Sequence, residues 1–303
     1  CKKDKVSLLH GLTNTGPVFL PKNIKSVVTI HDVIFLKRSL FFDLLPKFEL
    51  NGIYMRIISP IRAKKADIII NDTEVVADEI AQTLKIDRKK IKPIYLGVDE
   101  EFNQILSERK KLNQRINNVP DPYIIALGST KPYKNSLEII QAVAIVINTY
   151  KINVNLVLYS KFDCRKLQKI ADSLGIKDNV FFTGYITPDE LVDYYLNASL
   201  SIYFLSIGGF GLPILESFAC GVPLITTHVS STKEIAEGYA ELSNPKDIEM
   251  LALQIKSIIT DKKRANNLIN KGYERLKEFS WKFTAKQTID VYKSRPSKFT
   301  LNV

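Results

Sequence analysis

The sequence predicts an α/β protein built on doubly wound parallel sheets. Short, continuous runs of valine, isoleucine and leucine recur along most of the 303 residues, and amphipathic stretches of helical periodicity separate them. Apolar strands of this kind are typical of parallel sheets that helices cover on both faces. The length suits two domains, at roughly 150 residues per domain.

Each apolar run is interpreted as a strand, and the amphipathic stretches between the runs as helices. The helices that the pattern predicts most clearly are Thr73–Leu84, Ser136–Tyr150, Cys164–Leu174 and Pro188–Asn197. The predicted strands are Val6–His10, Ser26–His31, Asp67–Ile70, Lys92–Tyr95, Tyr123–Gly128, Val154–Tyr159, Asn179–Thr183, Leu200–Phe204 and Pro223–Thr227.

The polar stretch Ser107–Pro122 divides these strands into a group of about four and a group of about five or six. It is rich in charged and amide side chains and contains Pro120 as well as Pro122, so we interpret it as a linker between domains. Four strands are few for an α/β domain, and the chain opens on Cys1 rather than methionine. We therefore expect the first domain to be N-terminally incomplete.

The charge balance narrows the choice of partners. Lysine and arginine number 43 against 32 aspartates and glutamates, a net charge of +11, which suits a nucleic acid, an anionic membrane or an acidic small molecule. The basic residues are spread along the chain without a recognisable nucleic-acid module, so a specific nucleic-acid partner is not expected. Three scattered cysteines do not suggest a disulfide framework or a zinc site. Together with the lack of an apolar run near the ~18 residues of a transmembrane helix, this predicts a cytoplasmic protein.

The segment Leu36–Lys65 interleaves aromatic and basic side chains. Apolar area and positive charge add in binding to anionic lipid, so the segment suits peripheral contact with a membrane. A helix pair that packs on its own sheet, with solvated lysines, explains the same pattern. The residues concerned are Phe41, Phe42, Phe48, Tyr54, Ile57, Lys37, Arg38, Lys47, Arg56, Arg62, Lys64 and Lys65.

A glycine-rich loop lies between the strand at Leu200 and a helix that opens with Pro213 in its first turn and ends before Gly221. Glycines before a helix let the backbone approach a ligand, and the helix N-terminus presents N–H groups to an anion. Glu216 follows about one turn into the helix, where it is placed to accept hydrogen bonds from ligand hydroxyls. A tight turn with a surface glutamate remains the alternative. The loop contains Gly208, Gly209, Phe210, Gly211 and Leu212.

A second loop follows the strand Tyr123–Gly128 and contains Ser129, Lys131 and Lys134 ahead of a helix. Cations at a helix start are unfavourable to the helix dipole unless an anion intervenes, so these lysines are candidates for a phosphate site. Solvated surface lysines are the alternative. Both loops lie at the carboxyl ends of strands, where open α/β sheets bind ligands.

Seven stretches in this order resemble the retaining, GT-B-fold glycosyltransferases of family 4, over nearly the whole chain. The stretches are VVTIHD (27–32), ADIIINDTE (66–74), IKPIYLGVDEEF (91–102), YIIALGSTKPYKN (123–135), NVFFTGYITPDEL (179–191), GGFGLPILESFACGVPLITT (208–227) and FSWKFTAKQTIDVY (279–292).

The resemblance implies two Rossmann-like domains that face a cleft. It gives an acceptor-side domain at 1–117, a domain that binds the nucleotide-sugar donor at 118–280, and a C-terminal helix and tail at 281–303 that packs back towards the first domain.

The same resemblance implies roles for single residues. Lys134 would contact the diphosphate near Ser129, Glu216 the ribose hydroxyls, and amides in Gly209–Leu212 the sugar and phosphate. The segment at Tyr185 would lie along the base, and His31 would face the sugar and reaction centre as the catalytic residue. A histidine that merely ends its strand is the alternative for His31.

Two further histidines and one substitution bear on this site. His10 lines the same cleft or packs a loop, with equal support for each, and His228 is interpreted as structural. An arginine usual beside the lysine is replaced by Tyr133, which predicts a lighter phosphate clamp.

One departure from the family concerns the donor sugar. The family pattern is a pair of glutamates with seven residues between them, and the first would fall at Gly208, so a charge-assisted contact to the sugar, worth about 1.5–3 kcal/mol, is missing. A different donor sugar, compensation by Ser206, or a weakened enzyme would each account for this.

The function implied is transfer of a hexose, with mannose and therefore GDP-mannose favoured, to a saccharide or lipid-linked saccharide in glycan biosynthesis. No cofactor or metal is expected, because no DxD-type pair lies in a suitable loop. The implied location is the cytoplasm, either free or attached peripherally to the inner face of the membrane. The alternative function is a catalytically impaired relative that serves as a nucleotide-binding scaffold subunit.

Overall fold

A computed structural model describes residues 6–14, 16, 19–21, 23–36, 50–112, 119–161 and 163–294. The side chains of residue 35 and residues 50–55 lie outside the described part of the structure. The chain divides into two compact units. Unit 1 comprises Cys1–Leu96, Gly208–Phe210 and Ser280–Val303, and unit 2 comprises Gly97–Ile207 and Gly211–Phe279.

Unit 1 contains a four-stranded parallel sheet in the order β1-β2-β3-β4. Valines and isoleucines fill both faces: Val28 and Ile69 pack with the helix residue Ile80 on one face, and Val27 packs with Ile70 on the other. Its elements up to residue 93 are β1 (Leu8–Gly11), β2 (Lys25–Thr29), α1 (Leu50–Lys65), β3 (Ile68–Asn71), α2 (Glu74–Leu84) and β4 (Ile91–Pro93).

Unit 2 contains a six-stranded parallel sheet in the order β10-β9-β8-β5-β6-β7. Its core joins strand residues such as Ile124 and Leu156 to the helix residues Ile140 and Ile255. The elements are α3 (Glu100–Leu112), β5 (Tyr123–Leu127), α4 (Ser136–Asn148), β6 (Asn155–Tyr159), α5 (Arg165–Ser173), β7 (Val180–Gly184), α6 (Pro188–Leu196), β8 (Leu200–Tyr203), α7 (Leu212–Cys220), β9 (Leu224–Thr227), α8 (Ser230–Ala236), β10 (Glu241–Ser243), α9 (Ile248–Thr260) and α10 (Lys262–Leu276).

A last helix, α11 (Trp281–Lys293), belongs to unit 1. Val291 of this helix packs on the sheet face formed by Val27 and Ile70. The Lys25 ammonium donates to the carbonyl oxygens of Val291 and Tyr292, at 2.5 and 3.1 Å, and so neutralises the negative end of the helix dipole. Helices therefore cover both faces of this sheet.

The α/β fold with parallel, doubly wound sheets is confirmed. Among the described residues, the one strand that the sequence did not predict is β10, which has only three residues. The helices and strands that were predicted agree with the structure to within about two residues, the usual uncertainty at element ends.

The interpretation of Ser107–Pro122 as a linker is wrong for its first part, because Ser107–Leu112 forms the end of α3. Arg109 of α3 pairs with Asp189 and Asp193 of α6, at 3.3 and 3.0 Å. These contacts place α3 in unit 2, and the division falls between Leu96 and Gly97 rather than near residue 117. Residues 113–118 lie outside the described ranges.

The predicted interfacial segment is only partly described, because residues 37–49 lie outside the described residues. The remainder enters α1, whose exposed face carries Ile57, Ile61, Lys64 and Lys65. Arg62 does not contribute to a surface charge: it is 1% exposed and its guanidinium donates to the Ser26 hydroxyl. Within the described ranges, no helix combines the length and apolar character needed to cross a bilayer.

Candidate functional site

The strand order of unit 2 reverses between β5 and β8. From β5 the chain builds outward through β6 to β7, and from β8 it builds in the other direction through β9 to β10. Ligands of open α/β sheets bind outside the carboxyl ends of the strands at such a reversal. The loops that leave β5 and β8 are the two loops that the sequence singled out.

The glycine loop leads into α7 through a backbone conformation that favours glycine. Gly211 has a φ of 96° and directly precedes the helix, Pro213 lies in the first turn, and Gly221 ends the helix with a φ of 70°. Gly208 and Phe210 are buried, and Leu212 is 38% exposed at the first helical position. The helix N-terminus therefore follows the loop directly, as an anion site requires.

Replacing Gly211 with alanine is expected to lower the free energy of unfolding by about 1–3 kcal/mol. An alanine Cβ would be strained at this φ and would lie 3.2 Å from both the Tyr203 ring and the Ile214 methyl group. Urea denaturation measures the change. Gly209→Ala is the matched control: its Cβ would meet no atom closer than 3.7 Å, so a similar loss in both variants would contradict the explanation.

The loop after β5, which contains Ser129, Lys131 and Lys134 and is called the lysine loop below, is hydrogen-bonded to the chain that follows β8. The Ser206 amide donates to the Tyr133 carbonyl at 2.9 Å, and the Asn135 side-chain amide donates to the Phe204 carbonyl at 3.1 Å. The Ser206 hydroxyl in turn donates to the Asn135 side-chain oxygen at 3.0 Å. The two loops predicted separately therefore lie side by side.

Ser129 and Lys134 occupy different positions in this loop. Ser129 is buried, and its hydroxyl accepts the Lys131 amide at 3.2 Å, so it shapes the turn. The Lys134 ammonium lies 5.5 Å from the Tyr133 ring centre and 5.9 Å from that of Tyr203, within the range of a cation–π contact. The aromatic rings therefore hold the cation at the edge where an anion would bind.

Glu216 is a partly buried carboxylate in the second turn of α7. Burial raises its pKa to about 7, although a hydrogen bond from the Tyr195 hydroxyl opposes the rise. Burial raises the pKa of Tyr203, the tyrosine beside Lys134, and the Glu216 carboxylate adds to the rise. The Tyr159 hydroxyl lies 3.4 Å from that of Tyr195, which continues the network behind the carboxylate. Glu216 and the lysine loop thus share a common neighbour, Tyr203.

Tyr185 lies at the carboxyl end of β7, the edge strand two places from β5. It follows Gly184, whose φ is 74°, and is 73% exposed. An exposed aromatic ring at this edge offers a stacking face for a planar ligand.

His31 follows β2 at the carboxyl edge of the sheet in unit 1. Its backbone amide donates to the Asn14 side chain at 3.0 Å, and its ring Nδ1 lies 2.9 Å from the Asp72 carboxylate. The hydrogen bond to Asp72 raises the pKa of His31, with burial opposing the rise. Sequence reasoning missed Asp72, because its pairing with His31 follows from the register of β2 against β3.

The other two histidines have structural partners. The ring nitrogens of His10 contact the Tyr292 hydroxyl at 2.6 Å and the Thr29 hydroxyl at 2.8 Å, which favours its packing role. Nδ1 of His228 lies 3.0 Å from the Ser243 carbonyl. Across the described part of the chain, no group of three or more histidine, cysteine, aspartate or glutamate side chains is arranged to hold a metal ion.

Residues 107–275, more than half of the chain, match the family "Glycosyl transferases group 1". The chain belongs to this family. The resemblance stated from the motifs is thereby confirmed, and the match covers the lysine loop, the glycine loop and Glu216.

Two curated relatives of this glycosyltransferase chain are mannosyltransferases. It is 26% identical over 294 residues to the serotype-specific mannosyltransferase WbdA of Escherichia coli. This match covers 94% of this chain and 36% of WbdA. It is 25% identical over 240 residues to the O-antigen chain mannosyltransferase RfbU of Salmonella typhimurium, covering 79% of this chain and 62% of RfbU. The chain therefore spans about a third of one relative and under two thirds of the other.

A solved structure supports the fold of this group 1 glycosyltransferase. Anabaena HepE, determined in complex with UDP and glucose, superposes with a TM-score of 0.70 at 18% identity. The superposition covers 90% of this chain and 72% of HepE. At this level of identity the likeness shows the shared fold.

Proposed function

We propose that this chain transfers a hexose, with mannose favoured, from a nucleotide-diphosphate sugar to a saccharide or lipid-linked saccharide, with retention of configuration. The observation that carries the proposal is that the lysine loop is hydrogen-bonded to the chain after β8 at the sheet reversal of unit 2, with Lys134 beside Tyr203 of β8 and Glu216 on the helix that follows the glycine loop. At this edge of the sheet, the Lys134 ammonium suits the diphosphate of a nucleotide, and the Glu216 carboxylate suits its ribose hydroxyls.

The nucleotide part of the donor has its proposed partners in unit 2. Lys134 and the N-terminus of α7 bind the diphosphate, because an ammonium and the positive end of a helix dipole both stabilise phosphate. Glu216 accepts hydrogen bonds from the ribose hydroxyls, and the exposed Tyr185 lies along the base. Amides in Gly209–Leu212 approach the sugar.

Transfer in this proposal needs no enzymatic nucleophile. The bond from the anomeric carbon to the diphosphate breaks, the bond to the acceptor oxygen forms on the same face, and the acceptor proton passes to the departing diphosphate. The protein then positions the reactants and stabilises charge on the leaving group. Lys134 supplies that charge, and His31 is the proposed catalytic residue.

A thermal-shift screen against GDP, UDP, dTDP, ADP and their sugars tests the donor. The proposal expects GDP and GDP-mannose to stabilise the protein, by about 2.7 kcal/mol at 100 times the dissociation constant. For a chain of 303 residues this corresponds to a rise in Tm of roughly 4 °C. Stabilisation by UDP or dTDP alone would replace the donor assignment, and no stabilisation by any nucleotide would contradict the proposed function.

Gly208 favours a second candidate function, a nucleotide-binding scaffold that transfers sugar poorly or not at all. A glycine there offers no carboxylate to the sugar hydroxyls, whereas the nucleotide contacts stay in place. Nucleotide binding without product release in an assay with GDP-mannose and a mannoside acceptor would favour the scaffold. Product with an inverted anomeric centre would contradict the retaining mechanism.

We also propose peripheral contact of unit 1 with an anionic membrane at its cytoplasmic face. On α1, Ile57 and Ile61 are 55% and 38% exposed beside the exposed Lys64 and Lys65. Apolar area and positive charge on one face both favour anionic lipid. Co-sedimentation with phosphatidylglycerol vesicles but not with phosphatidylcholine vesicles is expected, and charge reversal at Lys64 and Lys65 should weaken it. Equal sedimentation with both vesicles would contradict the electrostatic part.

A further inference from the structure

His31 is paired with a buried carboxylate, Asp72, to which the family resemblance assigns no role. Both oxygens of Asp72 lie near Nδ1 of the His31 ring, at 2.9 and 3.2 Å. The Asp72 side chain is 3% exposed, whereas that of His31 is 43% exposed. The carboxylate thus lies behind the ring, and the ring faces solvent at the carboxyl edge of the sheet in unit 1.

Three segments of unit 1 fix this pair. Asp72 stands between β3 and Thr73, whose hydroxyl caps the first turn of α2 by accepting the Val76 amide at 3.2 Å. Asn14, in the loop after β1, accepts the backbone amide of His31 at 3.0 Å. Because both the backbone amide and the ring Nδ1 of His31 are hydrogen-bonded, the ring has little freedom to turn. Preorganised catalytic geometry requires such a fixed side chain.

The charges around the ring favour its protonated form. The Asp72 carboxylate makes the largest contribution to the raised pKa of His31, and the Leu12 carbonyl and the neighbouring Asp32 add to it. Asp32 itself has a pKa raised by burial, and Glu79 of α2 is among the charges that act on it. The groups that face this histidine are therefore carboxylates and a carbonyl, all of which stabilise an imidazolium.

We propose that Asp72 is the positioning residue for His31: the buried carboxylate fixes the ring and balances its positive charge, so that the ring donates a hydrogen bond to the transferred sugar. This inference rests on the proposed transferase function. It adds a residue that does not touch the substrate and acts only through His31.

Asp72→Asn tests the pairing without any assay of transfer. The amide keeps the size of the side chain but loses its charge, so the pKa of His31 should fall by about one unit or more. Titration of the three histidine ring signals by NMR measures this, with His31→Gln to assign the signal. Asp72→Glu, which keeps the charge, should retain a raised pKa. An unchanged pKa in Asp72→Asn would overturn the proposal.

The kinetic consequence is a loss of rate rather than of donor binding. In Asp72→Asn, kcat should fall about tenfold or more with the donor KM little changed. The fall in kcat at alkaline pH should move to lower pH, because the less basic ring loses its proton earlier. Asp78→Asn is the matched control, since Asp78 lies on α2 and pairs with Arg88 at the surface.

The positioning role of Asp72 and the proposed transferase function are contradicted by different results. An active wild-type enzyme with an unaltered kcat and pH profile in Asp72→Asn would overturn the positioning role alone. A wild-type protein that transfers no sugar from any donor would overturn the proposed function and, with it, the kinetic role of Asp72. The NMR titration would still report the charge pairing in that case.

Discussion

Replacing Glu216 with alanine is expected to weaken nucleotide binding by at least about 100-fold. A carboxylate that accepts hydrogen bonds from two ribose hydroxyls contributes about 1.5–3 kcal/mol through each bond, and each 1.4 kcal/mol is a factor of about ten in affinity. The side chain lies partly buried in the second turn of α7, so no neighbouring solvent-exposed group replaces it easily. Calorimetry with the nucleotide found in the thermal screen measures the change.

The same carboxylate makes nucleotide affinity depend on pH. Because burial raises the pKa of Glu216 to about 7, the carboxyl is mostly neutral at pH 6 and mostly ionised at pH 8. The ionised form accepts both ribose hydroxyls, so affinity should rise roughly tenfold over this interval. Glu216→Gln cannot ionise and should show a flat profile over the same range.

A matched control separates the ribose contact from a general loss of stability. Glu249 is an exposed glutamate in the first turn of α9, in the same unit. Glu249→Ala should bind nucleotide as the wild type does. If Glu216→Ala also keeps wild-type affinity while it melts normally, the assignment of Glu216 to the ribose is wrong.

Replacing His31 with alanine is expected to lower kcat by about 100- to 1000-fold and to leave nucleotide affinity unchanged. Removing one preorganised donor from a charge-developing centre typically has an effect of this size on the rate. Affinity should not change, because the groups proposed to bind the nucleotide belong to unit 2 whereas His31 belongs to unit 1. Initial-rate kinetics and calorimetry on the same preparation provide both numbers.

His228→Ala is the control for the loss of an imidazole. His228 is exposed, and Nδ1 of its ring lies 3.0 Å from the Ser243 carbonyl, so we interpret it as structural. The kcat of the His228→Ala variant should match that of the wild type. A His31→Ala variant with normal kcat, or one that loses nucleotide binding in parallel with rate, would argue against a role at the reacting sugar.

The fold was predictable because its strands are buried on both faces. Val27, Val28 and Ile69 are fully buried, so their segments consist of unbroken apolar residues that stand out from the helices. The closeness of the two loops was also predictable. Parallel strands end at one edge of a sheet, and the loops after β5 and β8 leave adjacent strands.

What the sequence did not reveal depends on pairing between distant residues. Arg109 looked like part of a charged linker, because its partners Asp189 and Asp193 lie about 80 positions later in the chain. Arg62 looked like a surface charge in a basic stretch, whereas it is buried and donates to the Ser26 hydroxyl. Neither composition nor periodicity carries information about such partners.

Asp72 illustrates the same limit within the candidate site. Its neighbours Asn71 and Thr73 have local roles that a pattern can suggest, the side-chain amide of Asn71 donating to the Thr73 carbonyl at 2.6 Å. The partner of Asp72, however, is 41 positions away. Only the register of β2 against β3 brings the two together.

The return of α11 to unit 1 has a consequence for protein engineering. Unit 1 is assembled from both ends of the chain, since Val291 and Tyr292 supply an apolar contact and the carbonyls that hold Lys25. Apart from Gly208–Phe210, unit 2 is one continuous insert between Leu96 and Ser280. A chimera that exchanges donor specificity should therefore be cut twice, at these two junctions. A single crossover near the middle would unite one half of unit 1 with a foreign α11 and disturb its sheet.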